Sequence, residues 1–248
     1  MSVAENLVRI QQQIADACRR CGRRESDVAL MAVSKLHPAE AVREAFEAGQ
    51  RLFGENRVQE WQEKTATLGD LLEPVGADGW RNTSGMARAH LIGPLQSNKT
   101  TKAAELFHAV DSVDSMRIAA RLNAAAGALK KKLPVLIEVK LSHEETKHGV
   151  APEEFPALLH AIAEMENLVP CGLMTVPPWS EDAETARPYF RELRRMRDEW
   201  AAKYPTLTEL SMGMSNDFAV AIEEGSTCVR IGTAIFGRRQ YAEKAGSE

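Results

Sequence analysis

The sequence has no long apolar segment and no excess of positive charge. No stretch of it reaches the roughly 18 apolar residues that a membrane-spanning helix requires, and its N-terminal segment alternates charged with apolar residues, unlike a signal peptide. Among its 248 residues, 31 lysines and arginines stand against 35 aspartates and glutamates, which gives a net charge of -4. We therefore expect a cytoplasmic protein without membrane or nucleic-acid partners.

Cysteine is also scarce, with residues only at Cys18, Cys21, Cys171 and Cys228. The first two form a CxxC pair on a segment with helical periodicity, but no further pair of ligands stands at the spacing of a zinc site. A redox CxxC normally opens a helix after a strand, which this one does not. We therefore expect reduced, structural thiols and no metal site.

Apolar segments of strand length recur along the chain, with amphipathic helical segments between them. This alternation predicts an α/β protein with a parallel sheet, and eight βα units predict one closed (β/α)8 TIM barrel that takes up residues 1–248 as a single domain. An amphipathic helix over residues 3–21 precedes the first strand as an extra N-terminal element. The predicted strands are 28–33, 51–54, 90–92, 106–110, 135–139, 168–174, 209–212 and 227–231.

Two segments depart from this repeat. Residues 69–89 contain proline and several glycines with little periodicity, so we predict a long loop before the third strand, on the face opposite the ligand site and without a catalytic role. Residues 187–203 are rich in arginine, with glutamates and aspartates among them. Because the chain as a whole is acidic, a solvated helix face explains this segment better than a nucleic-acid-binding patch.

Lys35 stands where the first predicted strand gives way to a turn, before a helix that begins at Pro38 and ends at Gly49. In a βα barrel the residues after the strands converge on the face where ligands bind. The aliphatic stem of Lys35 would be held by the core while its amine reaches the ligand. That arrangement suits a Schiff base.

Two segments at the end of the barrel have the composition of a phosphate site. Residues 210–216 run from the end of the seventh predicted strand into the loop after it, residues 230–233 do the same for the eighth, and both combine glycine with serine or threonine. Small residues let backbone N–H groups approach phosphate oxygens, and the hydroxyls add donors. Barrels often bind phosphate at this pair of loops. The alternative is that these glycines serve only tight turns.

Arg230 lies inside the last apolar strand, where an unpaired guanidinium would be costly to desolvate. It must meet either a carboxylate of the core or an acceptor atom of a ligand. Facing a heteroaromatic nitrogen, it would donate a hydrogen bond and keep that nitrogen unprotonated. An aldehyde-reactive lysine, a phosphate site and such an arginine together describe a site for pyridoxal 5'-phosphate.

Several longer motifs now allow a comparison with a known family. They are Ser34-Lys35, FGEN at 53–56 with VQE at 58–60, HLIGPLQSNK at 90–99, GLM at 172–174, SMGMS at 211–215 and VRIGTAIFG at 229–237. This set resembles the pyridoxal phosphate homeostasis protein family, also called the YggS or PROSC family, from the first strand almost to the C-terminus. One departure is Leu36-His37, where threonine and a basic residue are common.

The resemblance implies a barrel of fold type III, like the N-terminal domain of alanine racemase, that binds pyridoxal phosphate as an internal aldimine on Lys35. It places Arg230 at the pyridine nitrogen, and it gives the SMGMS and glycine-threonine segments to the phosphate. The family is regarded as a carrier and regulator of the cofactor without established turnover. The implied cofactor-binding residues are Lys35, Asn56, His90, Met174, Ser211, Met212, Gly213, Ser215, Arg230, Gly232 and Thr233.

Three functions remain open from the sequence. The first is a non-catalytic carrier that holds the aldehyde as a Schiff base and buffers it or delivers it to apoenzymes. The last strand ends near residue 232 with 16 residues after it, so we expect neither the second domain of a racemase nor the dimer surface that goes with it. A monomeric carrier is our prediction. The alternatives are an amino-acid racemase, which lacks an evident second base, and a Schiff-base aldolase.

A further hypothesis concerns Lys147, which follows the fifth predicted strand and could stand near the mouth of the site. There it would form a transient imine while the cofactor is handed over. The alternative is an ordinary solvent-exposed lysine of a loop.

Overall fold

A computed structural model describes residues 1–76, 79–81, 85–142, 144 and 148–237 of the protein. Within these ranges eight parallel strands form one closed barrel in chain order, because the first strand pairs with the last. The predicted (β/α)8 barrel is therefore confirmed. The strands are β1 Ala29–Val33, β2 Leu52–Glu55, β3 Arg88–Leu91, β4 Ala109–Val113, β5 Leu133–Glu138, β6 Leu168–Met174, β7 Glu209–Ser211 and β8 Cys228–Ile231.

The helices alternate with the strands, apart from one that precedes the barrel. This first helix begins with a capping box between Ser2 and Glu5 and packs against α2, α8 and α9, so the predicted extra N-terminal helix lies on the side of the barrel. No helix in the described ranges has the length and apolarity to cross a membrane. The helices are α1 Val3–Arg20, α2 Ala39–Glu47, α3 Val58–Leu68, α4 Thr100–Leu106, α5 Met116–Ala128, α6 Phe155–Ala163, α7 Arg187–Ala201, α8 Phe218–Glu223 and α9 Thr233–Phe236.

Apolar side chains form two cores, because successive residues of each strand point to opposite faces of the sheet. The larger core lies between the sheet and the helices. The smaller one fills the barrel itself and consists of Met31, Leu52, Trp80, Ala109, Leu136, Cys171, Met174 and Cys228. Burial on both faces explains why the strands read as continuous apolar segments instead of alternating ones.

The fourth strand was predicted three residues too early. Leu106 is the last residue of α4, and the strand runs over Ala109–Val113. The prediction is wrong because Asp111 and Ser112 are polar, and both are nevertheless buried within the strand. Each has a hydrogen-bond partner, since Asp111 accepts at its Oδ1 atom from the Trp80 indole at 2.9 Å and Ser112 donates to the Gly93 carbonyl at 2.6 Å.

The segment before β3 closes the N-terminal end of the barrel. Trp80 enters the interior and packs edge-on against His90, with ring centroids 4.8 Å apart. Arg81 forms an ion pair of 2.8 Å with Glu209, the first residue of β7. The described residues Trp80 and Arg81 of this segment thus lie at the end of the barrel that was predicted for it.

Candidate functional site

A cavity of about 350 Å³ lies at the C-terminal ends of the strands. Its apolar wall includes Val33, Ile92 and Val176. Six of the eleven predicted cofactor-binding residues line it, although they come from four different regions of the sequence. These six are Lys35, Asn56, Ser215, Arg230, Gly232 and Thr233. A pocket of this size and position is where a βα barrel binds a small ligand.

His90 and Met174 lie deeper, within the barrel, and do not line the cavity. The His90 side chain is fully buried, with its Nδ1 atom 3.4 Å from the Asp111 carboxylate. Met174 belongs to the interior core. Both residues occupy strand positions whose side chains point into the barrel interior. The strand register therefore places them deeper than the residues that line the cavity. Their contact with the cofactor remains a prediction.

Ser211, Met212 and Gly213 stand behind the cavity wall. The Ser211 hydroxyl accepts a hydrogen bond from Arg230 at 2.7 Å, whereas Met212 points outward into the core between sheet and helices. Gly213 has a φ of 96°, and a Cβ there would stand 2.6 Å from the Ala221 side chain. The turn after β7 therefore requires glycine. Direct contact of these three with a phosphate also remains a prediction.

Arg230 is the buried cation of the site. Its guanidinium donates to the Ser211 hydroxyl at 2.7 Å and to the Thr175 carbonyl at 2.9 Å. Within the described residues these partners replace the core carboxylate that the sequence left as an alternative. Burial lowers the pKa of Arg230, and nearby acidic groups, Glu138 among them, oppose that shift. The side chain is thus held in place and still reaches the cavity.

The glycine-threonine corner after β8 lies against the end of β1. A Cβ at Gly232 would approach the Val33 carbonyl oxygen to 3.2 Å, so the backbone itself forms this part of the wall. Thr233 begins α9, and the first N–H groups of a helix have no acceptor within the helix. Together with the nearby Ser215 hydroxyl, this corner offers the donors that an anionic group needs.

The turn that carries Lys35 is fixed by a buried ionic network that the sequence did not reveal. Leu36 has a φ of 63°, which is unusual for a residue other than glycine, and its N–H donates to the Glu60 carboxylate. Lys64 donates to that same carboxylate at 2.8 Å, to the Glu55 carboxylate at 2.7 Å and to the Ser34 carbonyl at 2.9 Å. The backbone on both sides of Lys35 is therefore tied to α3.

The ionisation of Glu55 depends on this network. Burial raises the pKa of Glu55, and the ammonium of Lys64 together with the Ser34 hydroxyl lowers it. The only sequence signal was the spacing of Glu60 and Lys64, which stand one helical turn apart within and just after the VQE motif.

Three titratable residues at the cavity were not predicted from the sequence as site residues. Glu138 ends β5, His148 follows that strand, and His37 stacks on Phe236 with ring centroids 5.0 Å apart. Each stands after or at the end of a strand, so the convergence rule could have found them. Lys147, for which we predicted a role in cofactor transfer, lies outside the described residues.

Comparison with known proteins gives the relationships of the chain. The family model of the alanine racemase N-terminal domain matches residues 6–240. The pyridoxal phosphate homeostasis protein of Vibrio cholerae is 43% identical over 98% of this chain and 99% of its own length. That of Escherichia coli K12 is 42% identical, with the same coverage of both chains.

Solved structures agree with these relationships. PipY of Synechococcus elongatus PCC7942, in its structure with PLP bound, is 38% identical, with a TM-score of 0.81 over 95% of this chain and 100% of that one. An alanine racemase of Clostridium difficile 630 is 15% identical, with a TM-score of 0.70 over 98% of this chain and 58% of that one, and shows the fold alone. The chain belongs to the family of pyridoxal phosphate homeostasis proteins and contains the alanine racemase N-terminal domain.

Proposed function

We propose that this protein binds pyridoxal 5'-phosphate in the cavity and holds it through a Schiff base with Lys35. The Nζ atom of Lys35 condenses with the aldehyde carbon, and a water molecule leaves. One observation carries the proposal: Lys35, Arg230, Ser215 and Thr233 line a single cavity of about 350 Å³. A related structure, that of PipY, has PLP bound.

The wall residues fit the three ends of this cofactor. When bound, the cofactor supplies a reactive aldehyde on an electron-withdrawing ring. Lys35 receives the aldehyde, and Arg230, which Ser211 and the Thr175 carbonyl orient, donates to the ring nitrogen while it remains protonated itself. The Ser215 and Thr233 hydroxyls and the backbone N–H groups beside Gly232 would donate hydrogen bonds to the phosphate.

The proposed role is that of a carrier without turnover. In cellular pyridoxal phosphate homeostasis the protein would buffer the reactive aldehyde and deliver it to apoenzymes that depend on it. The naming of its relatives as homeostasis proteins supports this role. We propose further that it acts in the cytoplasm as a monomer, with the whole chain in one domain.

A racemase is the second candidate, because Glu138 and His148 stand at the same cavity as Lys35 and could accept a proton. In alanine-racemase-like chemistry a second base faces the lysine. A tyrosine could supply such a base, but Tyr204 does not line the cavity, and its hydroxyl bonds to His160 on α6. We expect the purified holoprotein to leave alanine and serine unracemised. Robust racemisation that is lost in Lys35→Ala would favour the enzyme instead.

Borohydride reduction of the isolated protein tests the proposal directly. We expect mass spectrometry to find one reduced adduct on the peptide with Lys35, and we expect the visible absorbance band to disappear. The Lys35→Ala variant should show neither signal, whereas Lys203→Ala, on the outer surface beside α7, should behave as the wild type. A protein that stays colourless with added cofactor would favour the Schiff-base aldolase.

Transfer to an apoenzyme tests the carrier role separately. Holoprotein should restore the activity of a pyridoxal-phosphate-dependent apoenzyme at a rate that free cofactor released into solution does not explain. A recovery identical to that obtained with an equal amount of free cofactor, at every apoenzyme concentration, would contradict direct delivery.

A further inference from the structure

Two surface grooves of similar size differ in how their positive charges are balanced. The mouth groove, of about 680 Å³, is lined by Arg57, Gln59, Gln96, Lys99, Asp114 and Arg117, and shares Asn56, Pro94 and His148 with the cofactor cavity. The α7 groove, of about 720 Å³, is lined by Arg191, Arg194, Arg195, Asp198, Glu199 and Glu224. Each therefore has three lysine or arginine side chains.

In the α7 groove each arginine has a carboxylate partner. Arg191 pairs with Glu224 at 3.0 Å, and Arg195 pairs with Glu199 at 2.9 Å. Arg194 lies 3.4 Å from Asp198. The protein itself balances these charges, so the predicted solvated face of α7 is confirmed and needs no external anion.

The mouth groove lacks that balance. Its acidic side chain, Asp114, accepts a hydrogen bond from the Ser115 hydroxyl at 3.0 Å. Within the described residues, Arg57, Lys99 and Arg117 form no ion pair with a carboxylate. Arg57 and Arg117 are exposed, and Lys99 is half-buried. Three positive charges against one negative charge therefore leave the groove with a local excess of two.

The positions of the arginines add to this excess. Arg57 is the N-cap residue of α3, and Arg117 lies in the first turn of α5. The N-terminus of a helix carries partial positive charge, so a cation there is unfavourable and an anion is favourable. Both arginines thus stand where the backbone already attracts an anion. In the absence of an anion this placement lowers the stability of the two helices.

We propose that the mouth groove is a second ligand site, which binds a small molecule carrying a phosphate monoester. Such a group carries about two negative charges at neutral pH, which matches the excess of two, whereas a single carboxylate matches half of it. Arginine binds phosphate through paired hydrogen bonds. A groove of about 680 Å³ also has room for the organic part of the ligand.

The groove and the cofactor cavity share a wall. Gly93 approaches the loop at Asn56 so closely that a Cβ there would stand 2.4 Å from the Asn56 carbonyl oxygen. A ligand that shifts this loop acts on both sites. If the proposed function holds, a phosphate ester in the groove also changes the affinity of the cavity for pyridoxal phosphate, and by linkage pyridoxal phosphate changes the affinity of the groove by the same factor.

The test uses phenyl phosphate as the probe and borohydride-reduced holoprotein as the receptor, so that the phosphate corner of the cavity is already filled. Calorimetric titration should find one binding event that weakens at high salt. Arg57→Gln or Arg117→Gln should weaken it about tenfold, because each removes a charge-assisted contact. The matched changes Arg191→Gln and Arg195→Gln in the α7 groove should leave it unchanged.

Three results would overturn this site: no heat of binding to the reduced holoprotein, binding indifferent to both mouth-groove changes, or binding of a polyglutamate peptide without binding of phenyl phosphate. The last would assign the groove to an acidic protein partner. Failure of borohydride to trap any adduct would instead count against the proposed function alone. In that case the binding that depends on Arg57 and Arg117, measured on the unmodified protein, still decides the groove.

Discussion

The two ends of the barrel use buried polar side chains in opposite ways. At the N-terminal end the insertion before β3 supplies a partner to strand residues, as when Trp80 donates to Asp111 at 2.9 Å and Arg81 meets Glu209 at 2.8 Å. At the C-terminal end Lys35 and Arg230 line a cavity of about 350 Å³. One end is thus closed by the chain's own groups, and the other leaves functional groups facing a ligand-sized space. Substitutions at the two ends should therefore separate stability from binding.

The largest expected effect belongs to the closed end. Trp80→Ala removes a side chain that is 3% exposed and fills the barrel interior, so we expect the free energy of unfolding to fall by about 4 kcal/mol. Trp179→Ala is the matched control, because Trp179 is 75% exposed. Urea denaturation measures both, and a loss below about 1 kcal/mol for Trp80→Ala would contradict the role of Trp80 in closing the barrel.

The second effect concerns the buried ionic network that holds the turn of Lys35 at the C-terminal end of the barrel. Lys64→Met leaves the buried Glu55 carboxylate without its cation, and we expect a loss of about 3 kcal/mol in unfolding free energy. The double variant Glu55→Gln with Lys64→Met should recover much of that loss. Lys102→Met, which breaks the exposed pair with Glu105, should change little.

The same variants test the positioning of Lys35. With the network broken, the turn around Leu36 loses its tie to α3 and the amine of Lys35 is less fixed. We expect slower growth of the visible Schiff-base band in Lys64→Met, compared at equal folded fraction. An unchanged rate in a destabilised variant would give Lys64 a purely structural role.

The third effect is a pH dependence of the closed end. His108 accepts the Ala89 N–H at 3.1 Å and contacts the Glu73 carbonyl at 2.8 Å, and burial lowers its pKa from 6.5 to about 4. On acidification the unfolded chain takes up the proton at His108 first. The contribution of His108 to the free energy of unfolding is therefore fully present above pH 6.5 and is lost as the pH falls towards 4. We expect a loss of about 2 kcal/mol between pH 7 and pH 5 from this residue.

Denaturation across that pH range should be compared between the wild type and His108→Gln, because the difference removes the contribution of other titrating groups. A smaller pH dependence is expected in the variant. Parallel curves for the two proteins would show that folding does not lower the pKa of His108.

The smallest effect belongs to the ligand end. Thr233→Val removes one hydroxyl donor from the phosphate corner, and we expect the affinity for pyridoxal phosphate to fall about fivefold, or about 1 kcal/mol. Unfolding free energy should change little, because Thr233 lies at the cavity surface. Thr101→Val on the exposed face of α4 serves as the control. Equal affinity in all three proteins would remove Thr233 from the site.

Part of this architecture could be predicted from the sequence. Strand β6 runs over the predicted residues Leu168–Met174, because a long apolar segment leaves no ambiguity. Lys35 and Thr233 could be brought together from opposite ends of the chain, since the strands of a closed barrel end at one face. The start of β4 could not be predicted, because Asp111 is tolerated there only through a tryptophan 31 residues earlier.

The sequence by itself determined the order of strands and helices and, through the resemblance to a family, pointed to the ligand that we propose. Those features depend on local periodicity, turn residues and motifs that are contiguous in the chain. Only the tertiary structure decided that Lys64 supports the turn of Lys35, that Trp80 closes the barrel and that Arg57 and Arg117 face one groove. These contacts join residues that are distant in sequence, and their energies depend on burial and charge balance that exist only once the barrel has closed.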